Sequence, residues 1–322
     1  MNDKILNLDL GPNPFYREIK VGPYHIFLVD DYDAIQPKIS EGITQTTAIV
    51  NCEKSVDSLL TSDRETKGKG IWDIRLIFSY LTGRMCLSPG QERRYTSVKQ
   101  GDSIVENHVL PQAAQTMWEN RKYIIKEKRP FWYYLGMIDT AEAEYKAIFG
   151  CIALEIIQKI EVDNNYISDN LKILKDSVIK LIENSGLKNI NELKSAVGMW
   201  GINSYFQGLL RLLEKFNFIS SNLDTESFQY KRIKSIHSIR NDIAHGNKIK
   251  FPKWIKGDKE QRCEYIFICS IFIQNLVQEY LNRIFKLKSF YQPNRNYELL
   301  SEYIHKGTWE NRQIIDVCRD GI

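Results

Sequence analysis

The chain has 322 residues, 43% of them hydrophobic and 26% charged, a composition that excludes disordered and collagen-like classes. At roughly 150 residues per domain, the length predicts about two domains, each able to bury its own core. The 44 Lys and Arg against 40 Asp and Glu leave a net charge of +4, too small to point towards or away from a polyanionic partner.

The opening residues, Met1–Pro14, show neither the basic stretch nor the apolar run of a secretory signal, so a cytoplasmic location is expected. Phe15–Val21 and Tyr24–Asp30 are apolar-rich runs separated by Gly22–Pro23, the pattern of a hairpin, and Thr46–Cys52 forms a further strand pattern. Trp72–Leu81 has helical spacing and is followed by Thr82–Gly83 as a stop. Glu92–Gly101 returns to strand-like alternation. A β-rich N-terminal domain over residues 1–128 is therefore expected, with a sensing or regulatory role open to it.

After Pro130 the pattern becomes helical. Segments are predicted at about Tyr133–Ile160, Ser168–Asn184, Ile190–Val197, Ser204–Phe216, Glu226–His245 and Glu260–Lys286, joined by short to moderate loops as in a helical bundle. The expected fold class is α+β, with an all-α domain over 129–322 and a tail from about residue 288. The aromatic cluster Phe131–Tyr134 is expected to anchor the junction of the two parts.

The most apolar runs, Ala147–Ile157 and Tyr265–Val277, are shorter than the ~18 unbroken residues of a membrane span. They also contain Glu155, Gln274 and Asn275, so both are expected to be buried helices, with no membrane partner. The six cysteines include no Cys-x-x-Cys pair and no His at metal-ligand spacing. Reduced thiols are expected, and neither a metal nor a cofactor.

Lys231–Asn247, KRIKSIHSIRNDIAHGN, carries the most chemistry. At 100° per residue, Ile233, Ile236, Ile239 and Ile243 gather on one face. Lys234, His237, Asn241 and His245 gather on another, with Ser238 and Asp242 beyond them. Arg240 falls at the border of the isoleucine face, where a guanidinium needs a partner. Glu155, the one charge in Ala147–Ile157, is the expected partner, because a lone buried carboxylate costs several kcal/mol. The alternative is that Glu155 lies on the solvent edge of its helix.

Gly246 directly after His245 marks a helix end. The C-terminal end of a helix favours a positive charge, so His245 is expected to protonate readily. An Arg with a titrating His supplies what metal-independent cleavage of RNA needs. A base takes the 2′-hydroxyl proton, the guanidinium stabilises charge building at phosphorus, and an acid protonates the departing 5′-oxygen.

Spacing alone is weak evidence. An Arg-x4-His match is expected by chance about once in four such chains, and Arg232–His237 is a second instance. The same residues also fit a plain helix end, held by an Arg ion pair and a His cap. Context separates the two matches, since only Arg240–His245 has a polar residue after the Arg and Gly after the His.

Arg240–Gly246, RNDIAHG, resembles the signature of HEPN domains (higher eukaryotes and prokaryotes nucleotide-binding). The wider layout resembles the Apea-like HEPN proteins: a β-rich N-terminal part, a helix ending in Leu81–Arg84, a long helix with a lone Glu, and RNDIAHG before a last long helix. The resemblance implies a HEPN-type helical bundle and a metal-independent endoribonuclease linked to bacterial anti-phage defence, or abortive infection, with a phage-derived trigger. By the same resemblance Arg240 contacts phosphate, Asn241 supports it and His245 is the general acid and base. Glu155, His237 and Asp242 are expected to assist. The alternative is a HEPN module that binds RNA, a nucleotide or a partner protein without cutting.

Immediately after the motif, KIKFPKWIK places Lys248, Lys250, Lys253 and Trp254 where they could steer or stack RNA, tRNA included; an ordinary solvated loop is the alternative. In a straight helix Arg240 and His245 are about 7.5 Å apart along the axis and about 140° apart around it. One helix therefore grips a phosphate poorly, and a homodimer pairing two such segments across a two-fold axis is expected.

Overall fold

The computed structural model describes residues 3–59, 69–91, 103–122, 128–140, 142–162, 169–186, 189–198, 205–220, 223–244, 247, 259–290, 308–309 and 312–313. The chain divides into two compact units, one of Met1–Leu154 with Thr225–Ile322 and the other of Glu155–Asp224. The fold class is α+β, with an antiparallel sheet in the N-terminal region and many helices after it. Among the described residues no helix is long and apolar enough to cross a membrane.

The sheet of the first unit contains β1 (Asp3–Leu6), β2 (Glu18–Val21), β3 (Tyr24–Leu28) and β4 (Thr46–Cys52), in the order β1-β4-β3-β2. All its pairs are antiparallel. On β3, Tyr24, Ile26 and Leu28 are buried while His25 and Phe27 between them are less so, the period of two that a pleated strand imposes. The expected hairpin turns at Gly22–Pro23, where Val21 pairs with Tyr24. Gly22 has φ 56°, and a Cβ there would stand 2.3 Å from the indole of Trp118, so both turn geometry and packing require glycine. Trp118 belongs to α3 (Leu110–Asn120), which packs on this hairpin.

Among the described residues three α-helices interrupt the N-terminal part: α1 (Tyr32–Ser40), α2 (Gly70–Thr82) and α3. Of these, α2 matches the helix expected at Trp72–Leu81. It ends at Gly83 in the left-handed conformation, φ 67°, which glycine adopts without steric cost. Glu92–Gly101, expected to be strand-like, lies outside the described residues.

Buried on most of its surface, α2 joins the sheet region to the late helices. The Tyr80 ring packs among Phe131 and Tyr134 of α4 (Lys128–Ile138) and Phe285. Its hydroxyl donates to Asn282 Oδ1 at 2.8 Å on α10 (Lys259–Ile284), with the Gln278 carbonyl at 3.3 Å. Phe131 and Tyr134, expected to anchor a junction between domains, pack instead inside the first compact unit, between α2 and α10. Because this core is shared, the compact units divide at Leu154/Glu155 and Asp224/Thr225, whereas the change in periodicity falls near Lys128.

The single helix expected over Tyr133–Ile160 is two, α4 and α5 (Ala143–Glu161). The Asp139 amide bonds the Gly136 carbonyl, tightening the last turn of α4, and Thr140 Oγ1 accepts the Glu142 amide at 3.3 Å. A Thr hydroxyl that competes for backbone amides in this way favours a break.

The second unit holds the end of α5 with α6 (Asp169–Glu183), α7 (Ile190–Gly198) and α8 (Tyr205–Lys215). Leu209, Leu212 and Leu213 of α8 are buried at the helical spacing that makes one apolar stripe. Lys215 pairs with Glu161. On α6 the pattern is inverted: Lys175 is buried while Ile173, Leu174 and Leu181 are exposed.

Candidate functional site

The motif-bearing helix is α9 (Phe228–Ala244), which packs against α10. Ser227 starts it, its hydroxyl accepting the Tyr230 amide at 3.2 Å, as an N-cap serine does. Of the predicted isoleucine face, Ile233 and Ile243 are among the residues whose burial is described, and Ile243 is half-buried. Ile233 is fully buried, Lys234 and Ser238 are exposed, and His237 and Asn241 are half-buried.

His237 and Asn241 meet, with Asn241 Nδ2 3.5 Å from His237 Nε2, the long end of hydrogen-bonding range. With the amide NH2 as donor, Nε2 is the acceptor in this contact. Burial agrees, pushing the His237 imidazole down to about 4, because a charged ring loses hydration there. At neutral pH His237 is therefore an acceptor and a positioning group, with no proton to give from Nε2.

Asp242, placed by the helical wheel beyond the polar face, is buried. Its carbonyl accepts the Asn247 amide at 2.8 Å, a six-residue closure of the kind that ends helices. The described part of the helix runs to Ala244, and His245, where the helix was expected to end, lies outside the described residues.

Other expected site residues are less fully placed. Arg240 lies on α9, and its side chain is outside the described residues, as are His245, Gly246, Lys248, Lys250, Lys253 and Trp254. Glu155 is half-buried on α5 and opens the second compact unit. Of the predicted set, the structure brings His237 and Asn241 together on one face of α9, with Asp242 buried beside them in sequence.

Sequence reasoning missed a group of charged side chains in the N-terminal part. Asp73, 0% exposed, accepts from the Ser58 hydroxyl and from the Leu59 amide at 2.8 Å, and lies 3.4 Å from Arg121 Nε. Arg121 in turn lies over the Trp118 ring at 3.5 Å from its centroid, a cation–π contact. Arg84 is buried with Asp9 at 3.5 Å and donates to the Ile39 carbonyl. The signal was present: Asp73 and Arg75 sit inside the apolar run WDIRLIFSYL.

Among the described residues Cys86, Cys151 and Cys269 are buried and Cys52 is exposed. No three His, Cys, Asp or Glu side chains among them come together as metal ligands do. Set against known protein families, curated proteins and solved structures, the chain matches none.

Proposed function

We propose that the chain is a metal-independent endoribonuclease of the HEPN type, acting as a homodimer in the cytoplasm and serving anti-phage defence. The observation that carries this reading is the end of α9. The described part of α9 ends at Ala244, inside RNDIAHG, and Asn241 lies beside His237 on the face shared in the wheel with His245.

In the proposed reaction His245 takes the 2′-hydroxyl proton and the 2′-oxygen attacks phosphorus. Arg240 balances the charge that builds on the phosphoryl oxygens, and the 5′-oxygen leaves with a proton from a second acid. A second protomer supplies that acid as its own His245. The products are a 2′,3′-cyclic phosphate and a 5′-hydroxyl. Asn241 positions the site, its amide oriented by neutral His237. Lys248, Lys250, Lys253 and Trp254 guide the RNA strand by charge and stacking.

The test is to incubate the protein with total RNA or tRNA in EDTA beside Arg240→Ala and His245→Ala. Cleavage lost in both variants supports the enzyme. Absence of cleavage with unchanged RNA affinity in the variants sinks it and favours a binding module. Light scattering at micromolar concentration, with and without RNA, tests the dimer; a monomer in both conditions counts against it.

A further inference from the structure

One face of α6, in the second compact unit, is apolar and turned to water. Ile173, Leu174 and Leu181 are 64%, 51% and 69% exposed, while Lys175 on the other side of the helix is buried and Ile179 and Ile182 are half-buried. The back of the helix thus packs within its own unit, beside α7, whose Lys194 pairs with Glu183. With Ser177 set at 0°, Ile173 lies at about −40°, Leu181 at about 40° and Leu174 at about 60° around the helix. A contiguous run of large apolar side chains on a surface marks a contact with another molecule.

Three features fit this stripe to its own copy. Ser177 at its middle is small, and its hydroxyl already donates to the Ile173 carbonyl at 2.8 Å, so an apolar surface can cover it without loss of that bond. Ile173 and Leu181 stand four residues to either side of Ser177. An antiparallel copy, related by a two-fold axis through Ser177, therefore sets each Ile173 against the partner's Leu181. Asp176 and Lys180 share one flank of the stripe, at about −100° and −60°. Both are exposed, and among the described residues neither forms an ion pair. The same two-fold axis brings the partner's Lys180 onto that flank about 3 Å along the axis from the level of Asp176, and the partner's Asp176 equally near Lys180. Two opposite charges are thereby matched twice, the reciprocity that an isologous contact requires.

We propose that α6 docks on α6 of a second copy of this chain, antiparallel, with Ser177 of both copies at the two-fold axis. Apolar side chains fill the middle of the contact and the Asp176–Lys180 pairs form its rim, as in paired helices with charged flanks. A stripe on one helix is small beside the interface of a stable dimer, so the association is weak, with a Kd on the order of tens of micromolar. The contact uses no residue of α9 and does not depend on RNA cleavage.

The experiment is oxidative cross-linking of the full chain carrying Ser177→Cys. Two thiols at a two-fold axis come within disulfide reach, so a covalent dimer is expected. Wild type, with its exposed Cys52, and Ser195→Cys at an exposed position of α7 are the controls, expected to cross-link roughly tenfold more slowly or less. Adding Leu181→Asp to Ser177→Cys is expected to slow the cross-link by roughly tenfold or more, because it buries a charge in the contact, with Tm unchanged since the side chain is exposed in one copy. Sedimentation of charge variants reads the rim. Asp176→Lys and Lys180→Asp are each expected to self-associate more weakly than wild type, and an equimolar mixture of the two to associate again, since each supplies the charge the other lacks. No cross-link from Ser177→Cys, equal cross-linking by Ser195→Cys, or a mixture no tighter than its components would overturn the proposal. Binding to phosphatidylcholine vesicles that Leu181→Asp abolishes, with no cross-link from Ser177→Cys, would overturn it in favour of a lipid surface.

Discussion

Asn241 presents its side-chain amide to the imidazole of His237 one helical turn earlier, Nδ2 to Nε2 at 3.5 Å. The contact fixes which nitrogen of His237 is an acceptor and turns the Asn241 side chain back along α9. In the proposed ribonuclease this holds Asn241 in place on the face that the helical wheel shares with His245.

The depressed His237 gives a pH dependence with a definite sign. Its folded value of about 4 lies below the ordinary value near 6.5, so the unfolded chain takes up the proton first as pH falls. Stability is therefore lost between about pH 6.5 and 4. Relative to His237→Gln, wild type is expected to lose on the order of 1 kcal/mol more between pH 7 and pH 5, the full effect being reduced by solvent screening of a half-buried ring. Urea unfolding at the two pH values checks this, and equal losses would refute it.

Asp73 holds Arg121, the Ser58 hydroxyl and the Leu59 amide together. Asp73→Ala leaves a largely buried guanidinium without its carboxylate and is expected to cost about 3–5 kcal/mol. Adding Arg121→Met should recover part of that loss. Denaturant midpoints of the single and double variants measure the coupling.

Gly150 lies inside α5, where alanine ordinarily gains about 1 kcal/mol over glycine. Here the added Cβ would stand 2.2 Å from Ile273 Cγ2 on α10 and 3.0 Å from Met137 Cε. Ile273 is β-branched and stiff at χ1, so it cannot swing aside cheaply. Overpacking of this kind costs about 1–3 kcal/mol, and Gly150→Ala is expected to lower Tm. A raised Tm would mean that the helices separate at little cost.

Elements with a clear period were legible in the sequence. The Gly22–Pro23 hairpin, the Thr46–Cys52 strand, α2 and the extents of α6 to α10 follow from alternation, helical spacing and stop residues. In contrast, α1 was hidden by Pro37 in its middle, since proline inside a helix removes a backbone donor and disguises the pattern. The break between α4 and α5 rests on Thr140 and Asp139, too short a polar interval to stand out. Sharing of one core by Tyr80, Phe131, Tyr134 and Phe285 depends on contacts between residues far apart in sequence, which periodicity does not encode. At the candidate site, the facing of His237 and Asn241 followed from their i, i+4 spacing. Burial of Asp242 did not, because the wheel knows one helix and not what packs against it.

In the proposed function His245 and Arg240 cut RNA by 2′-hydroxyl attack, which end-group analysis of RNA treated with the protein in EDTA reads out. Wild type is expected to leave 2′,3′-cyclic phosphate and 5′-hydroxyl ends, and His245→Ala none. Ends bearing a 5′-phosphate, or undiminished cleavage by His245→Ala, would contradict it.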